Sequence, residues 1–141
     1  LPLMLDYKVL ATKDSMLNTP PTFGIYLMGQ VFKWILHAGG LSAIEARNEQ
    51  KAAIIYDALA SQGDFYSPVA RDDSRSRMNI TFCCKTSELD KLFLEKAAVH
   101  RMSGLKGHRS VGGLRASVYN AFPVEGCERF AEFLKEFANE H

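Results

Sequence analysis

Between Pro21 and Gly39 the chain carries Phe23, Ile25, Tyr26, Leu27, Met28, Val31, Phe32, Trp34, Ile35 and Leu36. At 3.6 residues per turn these side chains cover nearly the full circumference of a helix instead of one stripe. Such a helix has no face to offer water, so another domain or subunit must cover it. Thr19 is placed to cap it, with Pro20 in the first helical position, where a missing N–H costs nothing. Gly39-Gly40 stops it after His37. Residues up to about Leu17 mix apolar and charged types without a period. The expected division is therefore a connecting arm over 1–21 and a small domain over 22–141, led by this helix.

Ser42-Ala43-Ile44-Glu45 has the form of a capping box opening a second helix, with Ile44, Ala52, Ile55 and Leu59 toward the core and Gln62-Gly63 at its end. A strand over Phe65–Val69 contains Pro68 and so belongs at an edge. The alternation Met78, Ile80, Phe82, Cys84 predicts a half-buried strand. A third helix follows from Ser87 to about His100, then a short strand over Met102–Leu105 and another over Leu114–Val118. Phe130, Phe133, Leu134 and Phe137 give the last helix one buried face. These pieces imply an α/β domain of the α+β type, a short mixed sheet with helices on one face.

Lysine and arginine number 17 against 16 acidic residues, so no general field draws the protein to nucleic acid or to a membrane surface. No uncharged run is long enough to span a bilayer. The three cysteines are odd in number, and Cys83-Cys84 point to opposite faces of a strand. A cytoplasmic location is expected, or an organelle if a targeting segment lies upstream. The start at Leu1-Pro2-Leu3 reads as a piece of something longer.

Anion binding must then be local, and one segment is suited to it. Lys106-Gly107-His108-Arg109-Ser110-Val111-Gly112-Gly113-Leu114-Arg115 sets two arginines and a histidine among three glycines. Glycine lets the backbone turn and approach a ligand closely, and the guanidinium fork fits a carboxylate or phosphate. It lacks the Lys-Ser/Thr pair of a nucleotide P-loop. The histidines and cysteines show no metal-ligand spacing. Each candidate also has a plainer account: an ordinary ion pair for Arg115, a solvated basic turn for His108 and Arg109, and a turn with a helix start for Asn18 and Thr19.

Met4-Leu5-Asp6-Tyr7, Asn18-Thr19-Pro20-Pro21-Thr22, Arg77-Met78-Asn79, the glycine-rich run, Arg115-Ala116-Ser117 and Tyr119-Asn120-Ala121 together resemble the C-terminal part of phosphoserine aminotransferases. These are class V pyridoxal-phosphate-dependent enzymes. The resemblance implies that Arg115 receives the substrate α-carboxylate, and that His108 and Arg109 reach the substrate phosphate in the active site of the other subunit of a homodimer. It implies that Asn18 and Thr19 help hold the phosphate of pyridoxal 5'-phosphate. The lysine that binds this cofactor covalently would lie upstream, in a missing N-terminal large domain, since none of the lysines present occupies its place.

The implied reaction moves an amino group between glutamate and 3-phosphohydroxypyruvate, giving phosphoserine and 2-oxoglutarate in serine biosynthesis. The piece alone is expected to be inactive, with no catalytic residue of its own. The competing expectation is a non-catalytic α/β module that binds an anionic metabolite.

Overall fold

The computed structural model describes residues 2–141. Two compact units divide the chain, Leu1–Gly40 and Leu41–His141.

In the first unit, parts of the arm are helical although its sequence has no apolar period. A 3-10 turn (Leu3–Leu5) leads into helix α1 (Tyr7–Thr12). A local cap starts this helix in the absence of an apolar period: the Asp6 carboxylate accepts from the N–H groups of Lys8 and Val9 at 3.0 and 3.4 Å. Helix α2 (Thr22–His37) begins later than a cap at Thr19 would place it. Pro21 drives the preceding Pro20 out of the helical region. Pro21 then becomes the cap through its carbonyl, which accepts from Ile25 N–H at 3.1 Å. No residue of α2 is buried, and Phe23 and Leu36 are 72% and 73% exposed.

The second unit opens with helix α3 (Gly40–Ser61). Its start precedes the expected Ser42 cap because Gly39 and Gly40, at φ 100° and 81°, turn the chain directly into the helix. Ser42 and Glu45 thus lie inside the helix, and Glu45 pairs with Arg77 at 2.9 Å.

Strands β1 (Tyr66–Pro68), β2 (Asn79–Cys84) and β3 (Leu114–Ser117) form one sheet in the order β1-β2-β3, with Pro68 on an edge strand. The sheet is antiparallel throughout, not mixed. Helix α4 (Ser87–Val99) follows β2, and residues 102–107 then approach β3 in the antiparallel sense, bridging at Lys106–Leu114. Their direction is therefore that of β2, and the turn at 108–112 sends β3 back against both. The strand expected at Met102–Leu105 shrinks to this single bridge, since Gly104 at φ 76° breaks its extended path.

Helix α5 (Val124–Glu140) completes the unit. Ile80, Phe82, Cys84, Leu114 and Ala116 from the sheet share one core with Ile55 and Leu59 of α3, Phe93 and Ala97 of α4, and Phe130, Phe133, Leu134 and Phe137 of α5. At its centre Phe93 meets Tyr66, Phe82 and Phe137 edge-on, with centroids 6.3, 5.9 and 5.0 Å away. The buried Tyr66 hydroxyl donates to the carbonyl of Leu134 at 2.9 Å, and burial pushes its pKa up. The helices thus cover one face of the sheet and leave the other polar.

Candidate anion-binding site

Strand alternation decides which side chains occupy that polar face. With Ile80, Phe82, Cys84, Leu114 and Ala116 committed to the core, Asn79, Thr81, Cys83, Arg115 and Ser117 point the other way and are half-buried. Arg115 stands opposite Thr81 in the register. No carboxylate pairs with it among the described residues, and its Nε is buried without a partner. A buried guanidinium N–H left unpaired is unfavourable, and a bound anion would relieve it. Beside it, Ser117 Oγ and Tyr119 Oη donate to Asn79 Oδ1 at 3.1 and 3.3 Å.

The strand carrying Arg115 is held at both ends. After its last residue, the fully buried Lys51 of α3 donates through Nζ to the carbonyls of Val118 and Tyr119 at 3.1 and 2.6 Å. Asn48 Nδ2 donates to Asn120 Oδ1 at 2.8 Å. Removal from water lowers the pKa of Lys51. Sequence reasoning missed both residues, although a signal existed: Asn48 and Lys51 fall on the same helical stripe as Ile44, Ala52, Ile55 and Leu59.

Ahead of the strand, Arg115 N–H donates to Leu105 O at 2.7 Å and Gly107 N–H to Gly113 O at 2.9 Å, closing a hairpin-like loop. Only glycine fits its neck. A Cβ on Gly107 would collide with the carbonyls of Gly112 and Gly113. Gly113 has φ 64°, and a Cβ there would lie 2.7 Å from Cys83 Sγ and 2.8 Å from Phe82 O. At the exposed tip, His108 O accepts from the N–H groups of Val111 and Gly112 at 2.9 and 2.8 Å. The Ser110 N–H donates to His108 Nδ1 at 3.3 Å, and Ser110 Oγ lies 2.6 Å from the same nitrogen. Arg109 is exposed beside it.

The hairpin therefore presents two basic features, one on the sheet face and one at the loop tip. A cleft of about 660 Å³ lies along the free edge of β3, between Arg101–Leu105 and Arg129, and is lined by neither Arg115 nor His108.

Asn18 and Thr19 belong to the first unit. Both are exposed. Asn18 Nδ2 donates to Met4 Sδ at 3.4 Å, and the Thr19 hydroxyl has no partner among the described residues. They offer an amide and a hydroxyl, the neutral donors a phosphate accepts, and Pro20 and Pro21 add no N–H of their own.

Burial pushes the thiols of Cys83, Cys84 and Cys127 up, with Asp90 adding to the effect on the first two, so no thiolate is prepared as a nucleophile. No group of residues able to hold a metal ion occurs among the described residues, and no helix there is long and apolar enough to cross a membrane.

A small α+β unit thus carries an arginine, unpaired among the described residues, on its polar sheet face and a glycine-necked basic loop. The model of the class-V aminotransferase family matches residues 2–130, and the chain belongs to that family. It is 52% identical over 139 residues to a phosphoserine aminotransferase of Lactococcus lactis subsp. cremoris (strain SK11), covering 98% of this chain and 38% of that protein. With that of Bacillus subtilis (strain 168) it shares 49% over 140 residues, covering 99% and 39%.

The solved phosphoserine aminotransferase from Bacillus circulans subsp. alkalophilus superposes with a TM-score of 0.90 at 48% identity, over 99% of this chain and 39% of that one. The PLP-bound enzyme from Trichomonas vaginalis gives 0.82 at 38% identity, over 96% and 39%. The chain thus spans 38–39% of the length of these relatives.

Proposed function

We propose that this chain is the C-terminal part of a pyridoxal-phosphate-dependent enzyme that exchanges the amino group of glutamate with 3-phosphohydroxypyruvate, giving phosphoserine and 2-oxoglutarate. The observation that carries the reading is Arg115: an unneutralised guanidinium on the polar sheet face, on the same hairpin as His108 and Arg109. Arg115 binds the α-carboxylate common to both amino acids. His108 and Arg109, at the tip of a glycine-necked loop, bind the phosphate that only one substrate has, and do so in the active site of a second copy of the protein.

Asn18 and Thr19 would hold part of the cofactor phosphate, and their neutral donors suit it. When bound, pyridoxal phosphate supplies an electron sink for the bonds at the amino-acid α-carbon. The residues of this chain bind and orient, while the lysine that moves the proton lies in the N-terminal region. The protein works in the cytoplasm.

In the complete protein, Arg115→Lys replaces a two-point grip with a point charge. It should raise KM for glutamate and for the phosphorylated substrate alike. Unchanged steady-state kinetics with both would refute the assignment.

A further inference from the structure

Resting on the reading of Arg115 as the carboxylate anchor, we propose that Asn79 is a second binding group of the same site, its side-chain amide donating to the carboxylate that Arg115 grips. Three observations lead there. The first is position. Asn79 pairs with Ser117 and Thr81 with Arg115, and all four side chains share the face opposite the core. Asn79 is therefore the diagonal neighbour of Arg115, and such neighbours stand roughly 7–8 Å apart.

The second is orientation. Two hydroxyls, Ser117 Oγ and Tyr119 Oη, converge on Asn79 Oδ1 at 3.1 and 3.3 Å. The acceptor end of the amide is thereby occupied, and the Nδ2 donors are left without a partner among the described residues. A side chain held at one end and open at the other is set to donate, not merely to fill space.

The third is charge. The polar face contributed by β2 and β3 holds Asn79, Thr81, Cys83, Arg115 and Ser117 and no acidic group. Arg115 supplies the one positive charge there, and Asn79 adds a directional donor without adding a second charge. A single guanidinium can grip a carboxylate and still let it pivot. A second donor removes that freedom and aligns the α-carbon for the chemistry done elsewhere in the protein.

Asn79→Asp in the complete protein separates this role from a structural one. The aspartate keeps the size and the oxygen that accepts from Ser117 and Tyr119, loses the N–H donors and sets a negative charge before the substrate carboxylate. KM for both glutamate and the phosphorylated substrate should rise tenfold or more, with a smaller change in kcat and a melting temperature close to wild type. Arg115→Lys is measured alongside.

A raised KM in the arginine variant with an unchanged KM in N79D overturns the role of Asn79 and leaves the Arg115 reading standing. Unchanged KM in both overturns the Arg115 reading itself, and the inference with it. A lowered melting temperature with wild-type KM makes Asn79 structural and also overturns the inference. Should N79D not fold, Ser117→Ala decides: by freeing one side of the amide it should raise both KM values severalfold, and wild-type values would refute the proposal.

Discussion

The ammonium of Lys51, on helix α3, lies 2.6 Å from the carbonyl oxygen of Tyr119, four residues beyond Arg115. A fully buried cation thus fastens the end of the strand that carries the arginine. Its two acceptors, the carbonyls of Val118 and Tyr119, lie where the chain leaves the sheet; for Val118 the lysine stands in for a missing backbone partner, while Tyr119 O also accepts from Phe122 N–H at 2.9 Å.

Lys51→Met keeps the length of the side chain and removes the donor, leaving the Val118 carbonyl unpaired and that of Tyr119 with only the Phe122 N–H at 2.9 Å, which should destabilise the fold by about 1–3 kcal/mol in denaturant titration. The pH dependence has a defined sign. Burial lowers the folded-state pKa below the ordinary 10.5, so the unfolded chain binds the proton more tightly. Stability from this group then rises with pH through the interval from the lowered value up to 10.5. The methionine variant should lose that rise, and identical pH slopes in the two proteins would contradict the account.

Gly113 and Gly112 separate strain from collision. Both have positive φ, 64° and 79°, but a Cβ on Gly112 meets nothing within 4 Å, whereas one on Gly113 meets Cys83 Sγ and Phe82 O. Gly112→Ala should carry only the left-handed penalty of roughly 1–2 kcal/mol. Gly113→Ala must in addition displace a strand carbonyl, and its midpoint in urea should fall clearly below that of Gly112→Ala. Equal midpoints would mean that the neck of the loop is looser than described.

Period and turn chemistry made most of the second unit legible in advance. The alternation at Ile80, Phe82 and Cys84 and the stripe of Phe130, Phe133, Leu134 and Phe137 are both buried as their spacing requires. What escaped was set by short local contacts or by the path of the chain. The Asp6 cap started a helix where no periodicity existed, and Pro21 overrode Thr19 because proline constrains the residue before it. The antiparallel sense of β3 depends on residues 102–107, whose pairing collapses to one bridge beside Gly104. At the site, the glycine-rich hairpin was readable from composition, whereas a role for Arg115 came only from the resemblance and not from its spacing. Asn48 and Lys51 were overlooked although their spacing put them on the buried stripe, because a buried lysine looks like a surface residue until its acceptors are in place.

Thr19 offers a test on the cofactor side. Since it does not cap α2, its hydroxyl is free of a structural duty. Thr19→Val in the complete protein should speed dissociation of pyridoxal phosphate, read from the loss of cofactor absorbance on dilution, while leaving the melting temperature of the cofactor-free protein within about 1 °C, as exposed substitutions usually do. A drop in that melting temperature with unaltered cofactor release would assign the threonine to the fold instead.

The loop tip supplies the sharpest functional contrast. His108 and Arg109 are exposed, and the loop is held chiefly by backbone bonds from Val111 and Gly112 to His108 O and from Gly107 to Gly113 O, which need neither side chain, while His108 Nδ1 adds contacts to Ser110 N–H and Oγ at 3.3 and 2.6 Å at the tip. Replacing both by alanine should therefore keep the loop. A phosphate bound to charged donors loses about 1.5–3 kcal/mol for each hydrogen bond removed, so KM for the phosphorylated substrate should rise at least tenfold. Glutamate has no phosphate to lose, and its KM should stay within twofold. An equal loss on both substrates would show that the tip shapes the site as a whole, and phosphate recognition would then have to be sought on other residues of the protein.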